Sequence, residues 1–210
     1  MEDTAPTRRV SVVLFEGFEV LDVFGPLELF GALPDRFDVD LLGPVAGAVR
    51  SAQGAYVVAD TSYAGAAPPD LVLVPGGVGT RTLVGDLPFL DWLARWARPA
   101  PLVASVCTGS AVLAAAGLLD GYRATSNKRA FSWVCEQGPE VRWVAHARWV
   151  EDGDRWTSSG VAAGMDMALA LIAHLTSEEA ARGVAHRVEL EWHRDPTWDP
   201  FAAGMGPPRP

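Results

Sequence analysis

Short apolar runs alternate along the chain with stretches in which apolar positions recur at helical spacing. RVSVVLF (Arg9–Phe15) is β-branched and apolar, the pattern of a strand buried on both faces. Val20, Leu21, Phe24, Leu27 and Phe30 then predict a helix, with Pro26 near its first turn. FDVDLLG (Phe37–Gly43) predicts a strand stopped by Gly43-Pro44, AYVVAD (Ala55–Asp60) a shorter one, and DLVLVPGG (Asp70–Gly77) a buried one ending at a glycine-rich corner. DLPFLDWLARWA (Asp86–Ala97) keeps its apolar residues on one helical face, with Asp86 as N-cap. PLVASV (Pro101–Val106) predicts the next buried strand and TGSAVLAAAGLL (Thr108–Leu119) the next helix.

Further along, YRAT (Tyr122–Thr125) and VRWVAH (Val141–His146) read as strands, and KRAFSWVCEQG (Lys128–Gly138) as a helix. ARWVEDGDRWTSS (Ala147–Ser159) turns at Asp152-Gly153 and predicts a hairpin. VAAGMDMALALIAHL (Val161–Leu175) and SEEAARGVAHRVELEW (Ser177–Trp192) predict two helices, the second capped by Thr176 or Ser177. This alternation implies an α/β fold, a mostly parallel sheet with helices on both faces, whose sites form at the carboxyl ends of the strands. No repeat or linker divides the chain, so residues 1–210 are read as a single domain, with 1–8 and 203–210 as flexible or surface tails.

Composition narrows the functional classes. A hydrophobic fraction of 49% excludes general disorder, and a net charge of -9 without a Lys/Arg cluster argues against nucleic acid or an anionic membrane as partner. No apolar run is long enough to span a membrane, and the acidic N-terminus is not a signal peptide. Two cysteines, Cys107 and Cys135, make neither a disulfide framework nor a metal site, so a reducing cytoplasm is the expected setting.

Ser105-Val106-Cys107-Thr108-Gly109 has the small-x-nucleophile-x-Gly layout of a nucleophile elbow at a strand-to-helix turn. There the helix N-terminus would favour thiolate, and the Thr108 N–H would face a developing anion. Spacing alone also fits a packed core thiol. LVLVPGGVGT (Leu71–Thr80) matches no phosphate-binding loop; its glycines fit the second half of an oxyanion hole. Asp22 interrupts an apolar helix start, either as a helix-terminal carboxylate or as a carboxyl aimed at the thiol, where burial and like charge would let it hold a proton. Glu16, Glu19 and Glu28 read as solvated charges. His146, His174, His186 and His193 follow no Cys-His pattern; His174 reads as a core histidine, His186 and His193 as solvated, and Cys135 as helix packing.

Assembled, these segments resemble the ThiJ/PfpI superfamily of flavodoxin-like α/β proteins. The resemblance rests on VVLFEGFEVLDVFGPLELF, LVLVPGG, SVCTGSAVLAAAGLLDGYRAT, SSGVAAGMDMALALI and the late VELEW and DPFAAG. Within that superfamily the chain is most similar to the isonitrile hydratases and to the sensor-like domains of AraC-type regulators. The resemblance implies Cys107 as nucleophile, Asp22 as its partner carboxyl, Thr108 beside the thiol, Gly76 and Gly77 lining the anion pocket, and a homodimer with a site near the interface. One position departs from it: where many relatives carry a histidine after GYRAT, this chain has Asn127, which weakens glyoxalase- or peptidase-like readings and bears on the pocket wall.

The expected activity is addition of water to a small-molecule isonitrile to give an N-substituted formamide, with no metal or organic cofactor. Cys107 attacks the isonitrile carbon, Asp22 supplies a proton, and the resulting thioimidate is hydrolysed. A ligand- or redox-sensing module without turnover is the alternative from another class, and a different small-molecule hydrolase a third.

Overall fold

The computed structural model describes residues 6–203. Its strands are β1 (Arg8–Val13), β2 (Phe37–Gly43), β3 (Gly47–Arg50), β4 (Tyr56–Ala59), β5 (Thr61–Ser62), β6 (Leu71–Val74), β7 (Leu102–Ser105), β8 (Arg123–Ala124), β9 (Arg142–Trp143), β10 (Trp149–Asp152) and β11 (Arg155–Ser158). Its α-helices are α1 (Val20–Gly31), α2 (Thr80–Leu83), α3 (Leu87–Ala97), α4 (Gly109–Ala115), α5 (Phe131–Cys135), α6 (Ala162–Leu175) and α7 (Glu178–Arg187).

Seven strands form the central sheet in the order β10-β11-β7-β6-β1-β2-β5. Every neighbouring pair is parallel except the β10–β11 hairpin, which turns through Gly153 at φ 61°. The strand residues divide between two apolar layers. Val10, Val12, Leu71 and Leu73 pack with residues of α1, α6 and α7, whereas Val13, Val72, Val74 and Val103 pack with α3 and α4. This two-sided burial is why the strands read as unbroken β-branched runs. The sheet and its two helical layers make the flavodoxin-like α/β arrangement.

Capping follows the side-chain chemistry. Asp86 Oδ1 accepts from Phe89 N at 3.1 Å, and Ser177 Oγ accepts from Ala180 N at 3.1 Å. Pro26 lies inside α1, where its missing N–H leaves the Asp22 carbonyl without its intrahelical donor.

The differences from the sequence pattern lie outside the core layers. β3, which the pattern does not predict, pairs with β4 in a separate antiparallel ribbon, and β8 and β9 form their own two-residue pair. The helix expected over 128–138 shortens to a 3-10 turn and α5. α7 stops at Arg187, and Glu189 has φ 53°, so the segment expected to stay helical to Trp192 turns away. Of the two expected tails, residues 1–5 and 204–210 lie outside the described residues, and Arg8 already opens β1. Among the described residues no helix is long and apolar enough to cross a membrane, and no cluster of His, Cys, Asp and Glu is arranged to hold a metal ion.

Candidate functional site

β11, β7, β6 and β1 are adjacent, and the loops leaving their carboxyl ends converge on one point. β7 delivers Cys107, β6 delivers Gly76 and Gly77, the turn after β1 leads into Asp22 on α1, and β11 leads to Gly160-Val161. Cys107 has φ 58°, a left-handed conformation disfavoured for any residue with a Cβ, so it occupies a strained strand-to-helix elbow. The strain is held by neighbours on both sides. Cys107 N donates to the Ser159 carbonyl at 3.1 Å, and its own carbonyl accepts from Ser126 Oγ at 2.8 Å and Ser110 Oγ at 3.2 Å. Small residues let the backbones meet: a Cβ on Gly109 would stand 2.1 Å from the Val74 carbonyl, and one on Gly76 2.8 Å from Cys107 Cβ.

Asp22 is completely buried. Its Oδ2 accepts from Gly76 N at 2.8 Å, while Oδ1 has no aligned hydrogen bond. Burial pushes the carboxyl up from 3.8 to about 7, and Glu19 adds to the rise; the Gly76 amide and the Cys107 thiol pull it down. The thiol thus lies close enough to stabilise the ionised carboxyl without completing a well-formed bond to Oδ1. Asp22 therefore lies against Cys107, with its carboxyl raised toward neutrality. Glu19, expected to be merely solvated, contributes charge to this pair.

The thiol corrects one expectation. A helix N-terminus was expected to favour thiolate, yet burial, reinforced by the negative charge of Asp22, pushes Cys107 up to about 12. Three donors oppose that shift: the backbone N–H groups of Thr108 and Val161 and the Asn127 side chain. Desolvation wins because Cys107 is only 7% exposed and the Asp22 charge acting on it is like-signed.

Asn127 is oriented for this task. Its Oδ1 accepts from Ala130 N at 3.2 Å, which leaves Nδ2 as the free end, beside Gly160 and able to donate to the sulfur. Val161, with φ 36° and ψ -85°, is a second strained residue, and its N–H serves the same sulfur. Sequence reasoning missed Val161, since a backbone amide has no side-chain signature.

The glycine amides are used differently from the expected anion pocket. Gly76 N is bonded to Asp22, and Gly77 N donates to Thr108 Oγ1 at 3.1 Å. They set the carboxyl and the elbow in place, and the donors aimed at the sulfur come instead from Thr108, Val161 and Asn127.

No histidine is among the groups acting on Cys107. His174, expected in the core, lies in the last turn of α6 with its side chain 48% exposed near Glu151 and its ring edge-on to Trp156. His193, expected to be solvated, is half-buried with Nε2 unpartnered. It lies in a segment anchored by Asp166, whose Oδ1 accepts from His193 N at 2.9 Å and whose Oδ2 pairs with buried Arg148.

Comparison with known proteins gives the family of the chain. The DJ-1/PfpI family profile matches residues 8–174. The chain belongs to the DJ-1/PfpI family. It is 33% identical over 199 residues to isonitrile hydratase from Pseudomonas putida, covering 95% of this chain and 85% of that protein. It is 31% identical over 183 residues to the HTH-type transcriptional regulator CdhR from Pseudomonas aeruginosa, covering 85% of this chain but 54% of the regulator. Among solved structures, a ThiJ/PfpI family protein from Pseudomonas syringae superposes with a TM-score of 0.80 at 28% identity, covering 98% of this chain and 86% of that one.

Proposed function

We propose that this DJ-1/PfpI protein is an isonitrile hydratase with Cys107 as nucleophile and Asp22 as proton carrier. The observation that supports it most is the pairing of the strained Cys107 with a fully buried Asp22 whose carboxyl is raised to about 7. The 33% identity to isonitrile hydratase over nearly the whole chain supports the same reading.

The reactive state is the pair holding one proton, with the thiolate and the carboxylic acid as the attacking form. Sulfur adds to the isonitrile carbon and the Asp22 proton ends on that carbon, giving the thioimidate R–N=CH–S. Asp22, now a carboxylate, takes a proton from water as its oxygen adds to the same carbon. The proton held by Asp22 passes to nitrogen, the tetrahedral intermediate expels the Cys107 thiolate, and its hydroxyl proton returns to Asp22, releasing R–NH–CHO and restoring the thiolate and the carboxylic acid. The Thr108 and Val161 amides and Asn127 Nδ2 stabilise the sulfur when it is negative, before attack and on departure.

The test is incubation with cyclohexyl isonitrile, following the formyl proton of the formamide by NMR. Turnover by wild type that is lost in Cys107→Ala supports the reading; no turnover by wild type overturns it. The similarity to CdhR favours a second reading, a ligand-sensing module of the same fold, for which saturable binding of a small molecule without chemical change is the expected result.

A homodimer is proposed as well. Leu21 and Phe24 flank Asp22 on α1 and stay 41% and 38% exposed, an apolar face that a second copy would cover beside the site. Light scattering on wild type and Leu21→Arg tests it: a dimer that the substitution leaves monomeric supports it, and a monomeric wild type overturns it.

A further inference from the structure

Arg81 stands out among the charges near the thiol. It is the second residue of α2, directly after Thr80, whose Oγ1 lies 3.1 Å from Thr108 Oγ1. The guanidinium carbon sits 3.3 Å from the centroid of the Trp133 ring. Trp133 belongs to α5, shortly beyond Asn127. The stack therefore joins the two walls that flank Cys107, the turn after β6 and the segment after β8.

Among the described residues the Arg81 side chain makes no ion pair or hydrogen bond, although the chain carries an excess of acidic side chains. When Cys107 is a thiolate, its charge favours the guanidinium cation and works against the lowering caused by desolvation. Stacking fixes the plane of the guanidinium and leaves its in-plane N–H donors unused. An unpaired guanidinium, oriented on the α2 wall one residue from the Thr80–Thr108 contact, matches a planar oxyanion on the molecule that enters. A purely apolar substrate would leave this charge with nothing to recognise.

We propose that Arg81, braced by Trp133, is a specificity-determining residue that selects substrates carrying a carboxylate; resting on the hydratase reading, the substrate class is a carboxylate-bearing isonitrile. The carboxylate takes the guanidinium edge while the reactive carbon reaches Sγ.

Two ratios test it. The first needs no hydration chemistry: rates of Cys107 alkylation by iodoacetate and by iodoacetamide, read at the Cys107 peptide by mass spectrometry so that Cys135 does not contribute. Both reagents meet the same thiolate, so their ratio cancels any change in thiol acidity. In Arg81→Gln the iodoacetate-to-iodoacetamide ratio should fall about tenfold, the scale of one exposed charge-assisted contact. The second is the ratio of kcat/KM for 4-isocyanobenzoate to that for its methyl ester, expected to fall by a similar factor in Arg81→Gln. An alkylation ratio that changes less than about twofold overturns the proposal and leaves Arg81 as a brace between α2 and α5. If neither isonitrile is converted but the alkylation ratio falls, the hydratase reading fails and the anion selection stands.

Discussion

Asp22→Asn separates the stability of this protein from its chemistry in a way that depends on pH. Folding raises the Asp22 carboxyl from 3.8 to about 7. The folded state therefore binds this proton more tightly than the unfolded chain, and stability falls as pH rises from about 4 to about 7, then stays flat. With the side chain fully buried, the ionised carboxyl costs the native state about 4 kcal/mol above that window. Asparagine keeps the shape and still offers an oxygen to Gly76 N, but it adds an amide NH2 that costs about 1–3 kcal/mol if unpartnered. The variant should thus be more stable than wild type at pH 8 by about 1–3 kcal/mol. That advantage should shrink by about 2–3 kcal/mol at pH 5, where wild-type Asp22 is neutral when folded. Urea unfolding followed by tryptophan fluorescence at both pH values measures it, and the difference between the two proteins cancels every other titrating group. A difference that does not vary with pH would refute the argument that Asp22 is desolvated and titrates near neutrality.

Other consequences follow from the same geometry. Wild-type kcat/KM for isonitrile should rise with pH to a plateau through an apparent pKa near 7, as Asp22 and Cys107 reach the one-proton state, and a profile flat from pH 5 to 9 would contradict it. Asn127→Leu removes a donor to the sulfur and should slow iodoacetamide alkylation of Cys107 about tenfold at pH 8, without a comparable loss at Cys135. Gly76→Ala would bring a Cβ to 2.6 Å from Thr108 N; calorimetry should show a melting point lowered by roughly 5 °C or more, with activity lost. Asp166→Leu leaves Arg148 buried without its partner and should cost about 3–5 kcal/mol in denaturant unfolding, much of it restored by adding Arg148→Met.

The parts of this protein that sequence determined are those set by local periodicity. Runs such as Leu71–Val74 and Leu102–Ser105 must lie in two-sided sheet positions because every residue in them is apolar or small, and the observed strands place both faces in apolar layers. The elbow was legible for a related reason: Gly109 and Gly76 stand where a side chain would strike backbone or Cys107 itself. Asp22 showed as a carboxyl in an apolar helix start, a placement that demands a partner. What tertiary structure decided was the electrostatics. Whether Cys107 ionises depends on how completely the sheet and helices exclude water from it, and here that exclusion outweighs three donors and the helix terminus. Val161 enters through a strained backbone far along the chain, Asn127 through the end of its amide left free by Ala130, and Arg81 through a ring on another helix. Val161 and Arg81 leave no local pattern, and Asn127 showed only as a departure from the resemblance, because each contact is one that only the assembled sheet brings together.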